Sequence, residues 1–153
     1  MLYAALGMET KIISHRGRTS RKSADNTLAS VNDAIELKVE MVEVDIRQTK
    51  DSQIVCFHDP DIRGELIRDL DYSEIIEKDS QIPTLEQVLW SAKGKIGIEI
   101  ELKEPGYELE VVSIARDYFN YDKFVLKSFH PQVVERVKEI DQKIFAGLLV
   151  GSA

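Results

Sequence analysis

The sequence predicts a single domain of the α/β class, built on a mainly parallel sheet or a (β/α) barrel. Strand patterns and helix patterns alternate along the chain, and that alternation is typical of parallel strands joined by helical crossovers. The 153 residues suffice for one domain with a sizeable core. Hydrophobic residues make up 43% of the chain and charged residues 31%, which is a globular composition rather than a disordered one.

Six segments have the apolar or alternating pattern of a β-strand. They span residues 11–17, 41–49, 53–57, 95–103, 123–129 and 143–150. Apolar residues at helical spacing mark four further segments, which span residues 27–39, 84–92, 107–119 and 131–140. Asn26 or Thr27 suits the cap of the first helix, Thr84 with Gln87 fits a capping box, and Pro131 suits a first helical turn. The polar stretch 59–81 predicts a loop with room for one short helix.

Composition and charge argue against several classes of protein. Lys and Arg number 20 against 27 Asp and Glu, for a net charge of −7, so we expect no nucleic-acid partner. Cys56 is the only cysteine, which excludes an internal disulfide and a cysteine-based zinc site. Apolar runs are too short for a membrane span, and Met1–Gly7 lacks the features of a signal peptide. We therefore expect a cytoplasmic protein in which residues 1–10 form an N-terminal extension.

Two of the predicted strands carry charged residues on one face only. Successive strand side chains point to opposite faces, so Glu43 and Asp45 share a face, as do Glu99, Glu101 and Lys103. Carboxylates crowded inside a barrel repel one another unless a cation compensates. Oxygen ligands of this kind suit Mg²⁺ or Ca²⁺ better than zinc or copper. An amphipathic strand with a solvated charged face is the alternative interpretation.

His15 and His58 each stand at the end of a predicted strand and together suit an acid–base pair. Ordinary loop histidines are the alternative. A two-residue turn at Lys50–Asp51 would place Glu43 opposite His58 on the same face. Arg16, beside a glycine, suits an anion ligand because its fork matches phosphate, although a surface arginine in a turn would look the same.

Three other residues are predicted to have structural roles. We expect Trp90 to pack in the core on its helix and Cys56 to be a buried thiol. His130 precedes the helix that begins at Pro131, so we expect it to cap that helix or to lie at a rim.

An ordered set of short motifs across residues 11–150 resembles the glycerophosphodiester phosphodiesterase family. The set begins with His15-Arg16-Gly17, followed by Asp25-Asn26-Thr27 where the family usually has Pro-Glu-Asn-Thr. The other pieces are Glu43-Val44-Asp45, Thr49-Lys50-Asp51, Val55-Cys56-Phe57-His58-Asp59, Ile82-Pro83-Thr84-Leu85-Glu86, Ile100-Glu101-Leu102-Lys103 and Ser128-Phe129 with Pro131. The order and spacing of the whole set are specific, although no single piece is decisive.

The resemblance implies a TIM (β/α)8 barrel, here truncated to about six strands, with its site at the carboxyl ends of the strands. It implies hydrolysis of a small glycerophosphodiester to glycerol 3-phosphate and an alcohol, in lipid and glycerol metabolism. By motif, one Mg²⁺ or Ca²⁺ is held by Glu43, Asp45 and Glu101, the acid–base pair is His15 and His58, and the phosphate is bound by Arg16 and Lys103. Glu99 matches no ligand position of the family.

The chain departs from the family pattern in three ways. Ala24 and Asp25 replace the usual Pro-Glu, the stretch between His58 and Pro83 is short, and the Trp-Thr motif of the final strand is absent. A barrel of six strands would leave an open edge along residues 143–150. We therefore expect a chain that pairs this edge with another copy or a partner, or that lacks a C-terminal portion completing the barrel.

Two other functions remain open from the sequence. One is a catalytically silent truncated barrel that folds by association with a partner or another copy. The other is a related metal-dependent phospholipase that forms a cyclic phosphate.

Overall fold

The computed structural model describes residues 11–151, so the predicted extension over residues 1–10 lies outside the described residues. The strands are β1 Ile13–Ser14, β2 Met41–Gln48, β3 Ile54–Cys56, β4 Asp61–Ile62, β5 Glu65–Leu66, β6 Gly97–Leu102, β7 Phe124–Ser128 and β8 Ala146–Leu148. The helices are α1 Leu28–Glu36, α2 Tyr72–Lys78, α3 Leu85–Ala92, α4 Glu108–Tyr118 and α5 Pro131–Ile140. None of these helices is long and apolar enough to cross a membrane.

The main sheet follows the order β1-β2-β6-β7-β8. Every neighbouring pair in this order is parallel, and helices α1, α4 and α5 each lie between consecutive parallel strands in the chain. This repeated β–α unit is the construction of a (β/α) barrel. Within residues 11–151, β1 and β8 each pair on one side only.

One of the six predicted strands is not part of the parallel series. β3 pairs antiparallel with β2 and lies off the main path of the sheet. The reason is the short connection after β2, because a parallel neighbour needs a crossover of a dozen or more residues. The parallel series of the described residues therefore has five strands rather than six.

The connection between β2 and β3 also corrects the predicted turn. Ile46 pairs with Cys56 and Arg47 with Val55, and Thr49 N–H donates to Gln53 O. The loop therefore has three residues, 50–52, and Ser52 adopts a left-handed φ of 65°, as in the three-residue hairpins that end in a left-handed residue. The extra residue shifts the register by one, so the prediction that Glu43 stands opposite His58 is wrong.

The apolar faces of β2 and β6 form the centre of the core. Val42, Val44 and Ile46 pack with Ile98, Ile100 and Leu102, and α1, α3, α4 and α5 cover them. Each fully buried side chain of this size contributes about 1.5–3 kcal/mol. A one-residue slip would exchange these side chains for carboxylates, so the core fixes which face of each strand carries the charges.

A second, smaller apolar cluster lies under residues 59–82. The predicted short helix there is confirmed as α2, but the β4–β5 hairpin was not expected from the sequence. The cluster contains Val55, Ile62, Ile67, Leu70, Ile75 and Ile82. Its apolar residues are too widely spaced in the chain to show a helical or strand period. For that reason the sequence pattern predicts a polar loop here.

Most local predictions for single residues are confirmed. Thr27 caps α1, Thr84 and Gln87 form a capping box on α3, and Cys56 is buried. The prediction for Trp90 is wrong, because its side chain is 71% exposed. Helix α3 buries Leu85, Val88, Leu89 and Ala92 instead, and these residues form the helical face opposite Trp90.

Candidate active site

Three carboxylates from two neighbouring strands meet at the carboxyl ends of the sheet. β2 carries Glu43 and Asp45, and β6 carries Glu101, whose Cα is in register with that of Asp45. One carboxylate oxygen of each residue lies within 4.8 Å of the other two, and all three residues are buried. The parallel register thus brings together the three residues that the motif resemblance implies as metal ligands.

The oxygens of this group fit a hard divalent cation. Glu43 Oε1 and Asp45 Oδ1 are buried and have no hydrogen-bond partner within the described residues. Burial, and then the neighbouring charge of Asp45, raise the pKa of Glu43 to about 7. Buried carboxylate oxygens that accept no hydrogen bond are costly, and an all-oxygen donor set suits Mg²⁺ or Ca²⁺. A divalent cation would satisfy both oxygens.

Two cationic side chains lie directly beside the carboxylates. Arg16 Nε is 3.1 Å from Asp45 Oδ2, and the Arg16 backbone N–H donates to Glu43 Oε2 at 2.8 Å. Lys103 Nζ donates to Glu101 Oε1 at 2.6 Å and lies 3.4 Å from Asp45 Oδ1. The structure therefore places both predicted phosphate ligands at the edge of the acidic group.

His15 begins a one-turn 3-10 helix, His15–Gly17, that follows β1 directly. Arg16 and Gly17 have left-handed φ angles of 55° and 71°, and a Cβ on Gly17 would collide with the side chain of Ser30. This tight turn leaves His15 Nε2 3.8 Å from Glu43 Oε2. Partial burial and the charge of Arg16 lower the pKa of His15, which favours its neutral form near neutral pH.

His58 follows β3 and is held from both ends. Its Nδ1 lies 2.7 Å from Asp59 Oδ1, and its carbonyl accepts from Arg47 Nε at 3.0 Å and Nη2 at 2.8 Å. Arg47 Nη1 in turn donates to Glu104 Oε2 at 2.5 Å. Sequence reasoning missed Arg47, although its place on the same face of β2 as Glu43 and Asp45 was a usable signal.

Glu99 lies on the same face of β6 as Glu101 but outside the group of three. Its carboxylate accepts a hydrogen bond from Lys127 Nζ on β7. Lys127 therefore compensates Glu99 locally, and no cation is needed to explain why this fourth carboxylate is buried.

Most of the predicted site residues border one open cleft of about 1210 Å³. Its lining includes His15, Arg16, Glu43, His58, Glu101 and Lys103. Asp45, the remaining predicted site residue, lies beneath them and is fully buried. One cleft thus combines an acidic group, two cations and two histidines, which suits hydrolysis of an anionic ester.

The glycerophosphoryl diester phosphodiesterase family matches residues 15–153, nearly the whole chain. This chain belongs to that family. Among the family's curated members, a glycerophosphodiester phosphodiesterase of Caldanaerobacter subterraneus is 29% identical over 164 residues, covering 93% of this chain and 67% of the relative. The Bacillus subtilis protein YhdW is 32% identical over 149 residues, covering 84% of this chain and 61% of the relative.

Solved structures of the family confirm the barrel fold. The glycerophosphodiester phosphodiesterase of Thermotoga maritima has a TM-score of 0.81 at 30% identity, over 94% of this chain and 64% of that one. An Oleispira antarctica phosphodiesterase in complex with the product sn-glycerol-3-phosphate has a TM-score of 0.81 at 26% identity, over 97% and 69%. This chain therefore spans about two thirds of the length of these family members.

Proposed function

We propose that this cleft hydrolyses glycerophosphodiesters to glycerol 3-phosphate and an alcohol, with a bound divalent cation. The observation that carries the proposal is the buried group of Glu43, Asp45 and Glu101, with its two unpartnered oxygens, in a chain of this family. The family neighbour that was solved with sn-glycerol-3-phosphate supports the choice of substrate class.

Glu43, Asp45 and Glu101 would hold one Mg²⁺ or Ca²⁺. When bound, such an ion withdraws charge from a phosphate oxygen and so stabilises the charge that develops during attack. Arg16 and Lys103 stand next to the carboxylates and supply the cations that bind the phosphate itself. The fixed fork of arginine is well suited to this task.

His15 and His58 would divide the proton transfers between them. One histidine takes a proton from the nucleophile, and the other donates a proton to the leaving alkoxide. Both side chains border the cleft that contains the acidic group. Arg47 and Asp59 hold the backbone and ring of His58, which limits the positions its ring can take.

The experiment measures hydrolysis of glycerophosphocholine by the purified chain, before and after EDTA treatment and after return of Mg²⁺ or Ca²⁺. We expect activity to disappear with EDTA and to return with the ion. Product analysis separates glycerol 3-phosphate from a cyclic phosphate. Release of a cyclic phosphate as the final product would contradict the proposed hydrolysis.

Calorimetry with Mg²⁺ and Ca²⁺ tests the ligands directly. Asp45→Asn and Glu101→Gln each remove one charge from the acidic group, and we expect at least about tenfold weaker binding. Glu99→Gln is the matched control, because it removes the same charge from the same face of β6, outside the group. We expect its affinity to stay within about threefold of wild type, and equal losses in all three variants would contradict the assignment.

We also propose that the open sheet edge is covered in the active protein, either by another copy or a partner or by a C-terminal portion that completes the barrel. β8 has no second strand partner among residues 11–151, and Phe145 and Leu148 beside this edge are exposed. Unpaired strand edges with apolar side chains favour association. Light scattering tests the prediction, and a monodisperse monomer with full activity would contradict it.

A further inference from the structure

Asn26 is buried beneath the cleft and contacts the acidic group through both ends of its side-chain amide. Its Nδ2 donates to Asp45 Oδ2 at 3.0 Å, and its Oδ1 accepts from the Asp45 backbone N–H at 3.0 Å. Its own backbone N–H donates to the carbonyl of Arg16 at 3.0 Å. One residue therefore joins the turn that carries His15 and Arg16 to the centre of β2.

As a result, the two carboxylate oxygens of Asp45 have different surroundings. Oδ2 accepts from Asn26 and lies 3.1 Å from Arg16 Nε. Oδ1 is buried and accepts no hydrogen bond in the described part of the chain, and the Lys103 ammonium lies 3.4 Å from it. A carboxylate held in this way cannot rotate without breaking the bond to Asn26, so Oδ1 stays available to a cation.

We propose that Asn26 is a positioning residue for divalent-cation binding, which it supports by fixing the orientation of Asp45. This inference rests on the proposed function, because it presumes that Asp45 is a ligand. Asn26 does not itself contact the cation in this proposal. Residues that orient a metal ligand through hydrogen bonds typically change metal affinity by about 10- to 100-fold when they are replaced.

The chemistry of the position requires asparagine for two reasons. Its φ is 57°, a left-handed conformation that asparagine tolerates better than most side chains. Its amide also places a donor nitrogen and an acceptor oxygen at the same distance from the backbone, and Asp45 bonds to both. An aspartate at position 26 would keep the acceptor but would place a second carboxylate against Asp45 Oδ2.

The test compares Asn26→Gly and Asn26→Ser with wild type. Glycine accepts the left-handed backbone while removing both bonds to Asp45, and the serine hydroxyl is too short to replace them. We expect both variants to fold by circular dichroism and to bind Mg²⁺ or Ca²⁺ about 10- to 100-fold more weakly by calorimetry. We also expect the increase in Tm that the cation produces over EDTA to shrink in both.

Thr27→Ala is the matched control. Thr27 lies in the same loop, and its hydroxyl bonds Ala24 O and Ser30 N but no carboxylate. We expect this variant to lower Tm in EDTA as a lost helix cap does, with cation affinity unchanged within about threefold.

The outcomes separate this inference from the proposed function. Wild-type protein that binds the cation, together with Asn26 variants that bind it equally well, would overturn the inference alone. An equal loss of affinity in Thr27→Ala, or failure of both Asn26 variants to fold, would show a general structural role and would also overturn it. Wild-type protein that binds no cation would overturn both.

Discussion

The cleft combines two kinds of functional group, and the structure holds them in different ways. The carboxylates of Glu43, Asp45 and Glu101 project from neighbouring parallel strands and are buried. The side chains of His15 and His58 follow strand ends and are 60% and 38% exposed. The contrast is between groups fixed by the sheet itself and groups fixed by short loops.

The difference follows from how each backbone is constrained. A residue in the middle of β6 is paired with β2 on one side and with β7 on the other, and a residue in the middle of β2 is paired with β6. Both strands also have an apolar face packed under helices. A residue in the turn after β1 depends on a few side-chain contacts and on left-handed backbone at Arg16 and Gly17. We therefore propose that the strands supply the buried, charged part of the site and that the loops supply the histidines for proton transfer.

The largest expected effect comes from removing the loop histidines. His15→Ala and His58→Ala should each lower kcat/KM by about 10²- to 10⁴-fold, because a positioned general acid or base contributes that much. Cation affinity by calorimetry should stay within about threefold of wild type, because neither histidine belongs to the acidic group.

His130→Ala is the control for replacing a histidine near the cleft. His130 precedes α5, and its ring contacts only the carbonyl of Lys103 among the hydrogen bonds of the described residues. We expect a loss of less than about tenfold. If kcat/KM fell by less than tenfold in both His15→Ala and His58→Ala, the proposal that these loop histidines transfer protons would be contradicted.

A smaller effect is expected from the strand carboxylate with the raised pKa. Without a cation, the pKa of Glu43 rises from 4.5 to about 7 in the folded protein. Between these values the folded chain holds a proton that the unfolded chain has lost, so stability should fall as pH rises through this window. The contribution of this one group is at most about 3 kcal/mol.

Urea unfolding in EDTA at pH 5 and pH 7 measures this effect. Wild type should lose more stability than Glu43→Gln over the same interval, since the variant has no proton to release. With saturating Mg²⁺ or Ca²⁺ the trend should reverse, because cation binding requires the ionised carboxylate. If the free energy of unfolding had the same pH dependence in wild type and in Glu43→Gln, burial would not raise the pKa of Glu43.

The strand-borne part of the site was predictable from the sequence, for a physical reason. The two-residue period of a strand places Glu43 and Asp45 on one face without any tertiary information. That Glu101 joins them was implied by the resemblance to the family and not by the period. The apolar residues of the opposite face, such as Val44 and Ile100, reinforce the same pattern. The apolar core face and the shared charged face of each strand therefore follow from the same two-residue period.

The loop-borne part was predictable only in outline. Motif resemblance identified His15 and His58, but no period predicts the contacts of Arg47 with the His58 carbonyl or of Asn26 with Asp45. These contacts depend on left-handed residues and loop lengths, which the sequence specifies only weakly. The wrong register of the β2–β3 hairpin has this origin, because a single extra loop residue at Ser52 changed every pairing.

The smallest expected effect concerns that loop residue. Ser52 has a φ of 65°, and this left-handed backbone costs a residue with a side chain roughly 1–2 kcal/mol. Glycine adopts this backbone without that cost. However, ordering a glycine on folding costs about 0.5–1 kcal/mol more conformational entropy. Ser52→Gly should therefore stabilise the protein by about 0.5 kcal/mol in urea unfolding. Lys50→Gly, in the same loop but outside the left-handed region, should destabilise it by a similar amount. If both glycines destabilise equally, the left-handed residue does not determine the three-residue loop, and the register of β3 must be fixed by the apolar cluster around Val55 and Ile82 instead.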